Sequence, residues 1–189
     1  MSSLPLNVRL DRVAQHILRA RIFLDLWSYF EEQQTRAAII STMRAYGEFF
    51  RFTPHAYLMS YVIYIWGVFE RRRDTINLRS LIEEIAATGV LQPTDTAKIE
   101  ALWEKSAPIA AKLRLLRHEA FAHRSRKTSY NDTFKRAAVT ANELRELTDV
   151  ALEIANELLL VRGLEPQFFN PLPRQSAEEL MQTLADSDR

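Results

Sequence analysis

Four histidines, His16, His55, His118 and His123, are the acid–base groups in this chain that could do chemistry near neutral pH. There is no cysteine, which excludes thiolate nucleophiles, disulfide frameworks and thiolate zinc sites together. His16 and His55 have no nearby residue of metal-ligand type and read as packing or surface groups. His118 and His123 lie five apart in Arg117-His118-Glu119-Ala120-Phe121-Ala122-His123-Arg124. On an α-helix that spacing puts them about 140° apart, the wrong geometry for two ligands on one metal. No His-Glu-x-x-His pattern is present, so the expectation is no metal and no cofactor.

Charge singles out the same segment. Between Lys112 and Lys127 six basic residues (Lys112, Arg114, Arg117, Arg124, Arg126, Lys127) face one acid, Glu119. Residues 137–189 carry four arginines against ten acids, so the formal net charge of +1 is a sum of unlike parts. The balanced total excludes binding of nucleic acid or anionic membrane by bulk charge and leaves room for a local basic patch. Basic groups in a last helical turn also complement the helix dipole. A histidine on the apolar stripe is not needed for that, and His123 occupies such a stripe position.

The elements that must hold this segment are helices. Ala, Leu, Glu, Lys and Arg supply 46% of the 189 residues, and only four glycines are present. That composition predicts an all-α fold, an antiparallel helical bundle in one core with a short C-terminal appendage. Apolar residues at Val13, Ile17, Ala20, Leu24 and Trp27 predict a helix over 7–32, followed by a second over about 35–50. Thr53-Pro54 reads as a start signal for an apolar helix to about Glu70, 14 of whose residues form the most apolar stretch, too short to span a bilayer. Arg71-Arg72-Arg73-Asp74 reads as a solvated turn, and a short helix over 77–88 ends at Gly89.

Pro93-Thr94-Asp95 opens the longest expected helix, to about His123, with its stripe at Ile99, Leu102, Ser106, Ile109, Leu113, Leu116, Ala120 and His123 and a kink at Pro108. Residues 124–139 read as a polar loop with one turn of helix at most. Thr140 to Glu143 is a capping box opening a helix that stops at Gly163. An extended arm follows, and Ser176 to Glu179 predicts a second capping box for a short amphipathic helix with Leu180, Met181 and Leu184 on one side. The expected division is a bundle over 1–163 and an appendage over 164–189. Met1 to Pro5 show no secretory pattern, and the expected setting is the cytoplasm, with no membrane partner.

An arginine, a polar residue and a histidine six positions on, at the end of a bundle helix, resemble the R-x(4–6)-H signature of the HEPN superfamily. Arg117 to His123 fits it with five intervening residues. The wider context resembles the abortive-infection U-type branch: Val68-Phe69-Glu70 closing a buried helix, Thr75-Ile76-Asn77-Leu78-Arg79 opening the next, Leu116-Arg117-His118 through Ala122-His123-Arg124, and a capped final helix from Thr140. The likeness spans roughly 40–162. Two positions depart from the branch, which usually carries Asp or Asn where His118 stands and Asp where Glu70 stands, and the tail from Phe168 has no counterpart in it.

The resemblance implies metal-independent RNA cleavage in a homodimer. His123 would act as general acid/base and Arg117 would stabilise the phosphorane as the 2′-hydroxyl attacks the adjacent phosphate. Arg can grip phosphate with two donors. On one α-helix the two residues would be about 120° apart with roughly 9 Å of rise, so two motifs facing across a dimer axis would focus both on one phosphate. His118 and Glu119 are supporting candidates, Glu119 by orienting the imidazole. Arg114, Arg124, Arg126 and Lys127 are candidates for flanking phosphates. The alternatives are a catalytically silent HEPN bundle binding a nucleotide or a partner such as an antitoxin or a nucleotidyltransferase, and a purely structural helical dimer.

Overall fold

A computed structural model describes residues 4–72, 74–122 and 129–187. In order, the helices are α1 (Leu6–Glu31), α2 (Gln33–Ala45), α3 (Gly47–Phe50), α4 (Thr53–Phe69), α5 (Leu78–Ala87) and α6 (Pro93–Leu116). A π-helical turn (Arg117–Ala122) prolongs α6, and α7 (Tyr130–Ala137), α8 (Ala141–Val161) and α9 (Leu172–Ser187) follow. No strand occurs among the described residues. The protein is all-α, as its composition predicts.

Helix α1 packs along α4 and α8, and α8 packs along α6, so these four long helices enclose one core. Each gives it a stripe at helical spacing: Leu10, Ile17 and Leu24 from α1, Tyr61 and Ile65 from α4, Ile99 and Leu113 from α6, Leu147 and Leu158 from α8. Burying each such side chain is worth about 1.5–3 kcal/mol. Helix α4 is less enclosed than its composition suggests: Leu58, Tyr61, Val62, Ile65 and Val68 are buried, but Ile63 is 53% exposed. The same helix therefore has a core face and an open apolar face.

One buried hydroxyl ties α4 to α8. Tyr61 Oη donates to Leu144 O at 2.8 Å and lies 3.2 Å from Thr148 Oγ1. Burial pushes the Tyr61 phenol far above the usual tyrosine range. Folding thus holds the neutral phenol, and its contribution to stability is complete below the unfolded tyrosine pKa of about 10 and is lost as pH rises above it. Tyr61→Phe is expected to unfold less steeply than the parent above about pH 10, as read by circular dichroism, while being less stable near pH 7 by about 1 kcal/mol. A parallel pH dependence in both proteins would contradict the buried phenol.

Several local signals resolve differently from the sequence expectation. Thr53 does not cap α4: it is helical, and its hydroxyl donates back to Phe49 O at 2.6 Å, tying α3 to α4. Helix α6 runs through Pro108 without a break, but α-helical geometry ends at Leu116, so α1 with 26 residues is the longest α-helix. Within 124–139 there is more helix than one turn, because Ser129 and Asp132 cap α7 and give it eight residues.

Helix α9 starts at Leu172, where Asn170 Oδ1 accepts from Leu172 N–H; Ser176 is inside the helix and its capping box is not used. Met181 and Leu184 pack with Tyr29, Phe30, Met43 and Phe50, whereas Leu180 is exposed. The C-terminal helix is thus docked on α1 and α2. Gly163, at φ +67°, ends α8 with Leu164 N–H donating to Leu159 O and Gly163 N–H to Leu160 O, a left-handed stop that suits glycine.

Candidate nucleic-acid interface

The basic segment begins where α6 changes its winding. From Arg117 to Ala122 the chain is π-helical, with i to i+5 hydrogen bonding, a form found mostly as short insertions. A packing need accounts for it. Leu113 and Leu116 are fully buried, and the wider turn carries the inward side on to Phe121, five residues after Leu116. Phe121 meets Phe134 of α7 edge-on at 5.9 Å between centroids and His55 of α4 at 5.7 Å. The regular stripe through Ala120 that the 3–4 rhythm predicts is replaced by one through Phe121. The 140° and 120° separations expected around positions 117–123 assume α-helical winding, which residues 117–122 do not have.

His123, Arg124, Arg126 and Lys127 lie outside the described residues, so the structure places only Arg114, Arg117, His118 and Glu119 of the expected site. Arg114 and His118 are exposed, and Arg117 and Glu119 are half-buried. Arg117 lines a cleft of about 330 Å³ with Ile63, Trp66, Gly67, Glu70 and Phe121. Arg114 and His118 line a second, of about 540 Å³, with Trp66, Phe69, Arg71 and Trp103 among its walls. The two clefts share Trp66, whose ring lies 6.1 Å from that of His118. The motif thus opens onto the exposed face of α4 and the adjoining face of α6.

Ion pairs sort the local charges into two sets. Glu119 accepts from Arg136 at 2.7 Å, which ties the π turn to α7. Lys112 donates to Glu143 and to Ala138 O, bracing α6 against the start of α8, and this bond holds the Glu143 carboxyl below its ordinary range. Lys112 is therefore a structural member of the basic run. Arg71, Arg114 and Arg117 have no carboxylate within ion-pair distance among the described residues, and all three line the clefts around Trp66. Their guanidinium groups are not committed to the protein's own anions, which leaves their donors for a phosphate.

The AbiU2 family model, of HEPN proteins, matches residues 5–179. The chain belongs to the AbiU2 HEPN family. It is an abortive-infection-type HEPN protein by that membership, and the match reaches from the start of α1 well into α9, beyond the 40–162 over which its motifs are legible. No curated protein and no solved structure matches the chain. Two motif residues of this AbiU2 chain are architectural. Asn77, 2% exposed, accepts from Ser80 N–H at the start of α5 and donates to Arg72 O and Thr75 O, closing the turn after α4. Arg79 pairs with Glu83 and Glu100, joining α5 to α6.

Two cleft residues of the AbiU2 chain were not legible as such. Trp66 falls in the most apolar stretch of the sequence and reads as core. Arg71 reads as part of a solvated turn, and it is exposed there, yet it also forms a cleft wall. Neither has a spacing signal, because the cleft is made by two helices some forty residues apart in sequence. Among the described residues no group of three or more His, Asp or Glu is arranged to hold a metal ion, and no helix is long and apolar enough to cross a membrane.

Proposed function

We propose that this protein is a metal-independent RNA endonuclease of the abortive-infection type, acting as a homodimer in which Arg117 and His123 of two copies face one cleft. The observation that carries the proposal is the gathering of Arg71, Arg114 and Arg117, none with a carboxylate partner among the described residues, around Trp66 beside the winding change where the motif begins. Among the described residues Arg12, Arg19, Arg44 and Arg51 also lack an ion pair, so what distinguishes Arg71, Arg114 and Arg117 is their convergence on the clefts around Trp66.

In this reading the RNA 2′-oxygen forms a bond to the adjacent phosphorus and the bond from phosphorus to the 5′-oxygen breaks. One His123 imidazole takes the 2′-hydroxyl proton and a protonated imidazole from the second copy returns a proton to the departing 5′-oxygen. Arg117 donates to the non-bridging oxygens, where negative charge accumulates in the phosphorane. The open apolar face of α4, with Ile63 half out in solvent, supports a second copy seated beside the motif.

The test is incubation of the full chain with single-stranded RNA in excess chelator. Cleavage leaving 2′,3′-cyclic phosphate and 5′-hydroxyl ends is expected, with His123→Ala slower by about 10²–10⁴-fold. Equal rates in both proteins, or cleavage that chelator abolishes, would overturn the proposal. RNA or nucleotide binding without cleavage would move the reading to a silent binding bundle.

A further inference from the structure

The cleft walled by Trp66 and Trp103 extends away from the Arg117 motif, and catalysis at one phosphate does not require it. It holds about 540 Å³, within the range of small-molecule and nucleotide sites, and lies between α4 and α6. Its long walls are aromatic or small, with Trp66 and Phe69 from α4 facing Ala107 and Ala110 from α6. Its rim is cationic, with Arg71 at one end and Arg114 beside His118 at the other. An anionic ligand with a flat apolar part matches both features, and a nucleotide within a single strand has both.

Trp66 carries a further mark. Its Nε1–H is buried and has no acceptor among the described residues, a loss that phenylalanine or leucine at the same place would avoid. Packing alone therefore gives no reason for an indole there. A base-stacking wall does, since indole offers a large π-face to any base. Charge complementarity supports the same occupant, because Arg71 and Arg114 on the rim make no ion pair among the described residues.

We infer that this cleft is a subsite for the nucleotide next to the scissile phosphate, with the base stacked on Trp66 and the phosphates on its two sides held one by Arg71 and the other by Arg114. The inference rests on the ribonuclease reading for which phosphate is scissile, but binding in the cleft is measurable without cleavage. It also implies single-stranded RNA, because a base within a duplex has its faces covered by its neighbours.

The experiment uses the full chain and an eight-nucleotide 2′-O-methyl oligoribonucleotide, which has no nucleophilic hydroxyl. Tryptophan emission reports binding through Trp66 and Trp103 in the cleft walls, against the background of Trp27. Quenching on addition of the single strand is expected. Trp66→Leu is expected to weaken binding by about tenfold or more and to lose most of the quench, with Trp66→Phe recovering part of the affinity. The exposed Arg71→Ala variant, whose fold is not at risk, is expected to reduce the salt dependence of log Kd by about 0.7, one phosphate contact on a single strand. Equal affinity in Trp66→Leu and Arg71→Ala, or equal affinity for a duplex of the same length, would overturn the subsite. So would a change of oligomeric state in Trp66→Leu with RNA affinity intact, since the occupant would then be a second copy. Loss of cleavage activity in the parent with quenching retained would remove the ribonuclease reading and leave the binding site standing.

Discussion

Arg117→Ala is expected to lose about 10²–10³-fold in RNA cleavage rate while its melting temperature stays close to that of the parent. Two structural facts separate activity from stability at this position. Arg117 has no carboxylate partner among the described residues, so its removal leaves no buried anion exposed to an empty site. It is also only half-buried, at the first residue of the π turn, where Leu116 before it and Phe121 after it do the packing. Arg117→Lys keeps the charge but gives up the planar two-donor grip, and its rate is expected to fall between the two. Initial rates in chelator, measured beside thermal melts, check this. Full-rate cleavage by Arg117→Ala would remove the residue from the proposed site. A collapse in melting temperature would recast it as structural.

Leu113→Ala is the opposite kind of change. Leu113 is fully buried one turn before Arg117, in the part of α6 that packs on α8. Truncation removes apolar contacts and leaves a cavity that the flanking helices can close only in part, at a cost of about 2–5 kcal/mol. For a chain of this size that is roughly 4–20 °C in melting temperature. Activity of the remaining folded fraction at low temperature is expected to stay within a few-fold of the parent. Differential scanning calorimetry and cleavage assays at two temperatures check both halves. A loss below about 1 kcal/mol would mean that α6 does not pack as described.

The pattern of helices was legible because it depends on local chemistry. Val13, Ile17, Ala20 and Leu24 recur at helical spacing and all four are buried on α1. Thr140 and Glu143 form the reciprocal cap at the start of α8, and Gly163 closes that helix, as their types and positions predict. Each signal involves residues within one turn of each other, so the sequence holds all the information needed. Local signals failed where another local bond or a tertiary contact outweighed them: the Thr53 hydroxyl bonds back to Phe49 O instead of capping α4. Ser176 to Glu179 has the residues of a capping box, but α9 is already helical from Leu172, and Met181 is held in the cluster formed by Tyr29, Phe30, Met43 and Phe50.

The site divides along the same line. The Arg–His spacing, the basic run and the likeness to HEPN proteins are properties of a contiguous segment and could be read directly. The π turn could not, because it answers the demand of Phe121 for a place between His55 and Phe134, residues of two other helices. Nor could the split of the basic run into Lys112, tied to Glu143, and Arg114 and Arg117, which have no such tie among the described residues. Trp66 shows the limit most clearly. By itself the sequence determined that Trp66 lies on an apolar helix. Only the packing of α4 against α6 decided that its ring stands between two clefts rimmed by arginines. Burial and charge pairing are set by residues distant in the chain, and periodicity reports only on near neighbours.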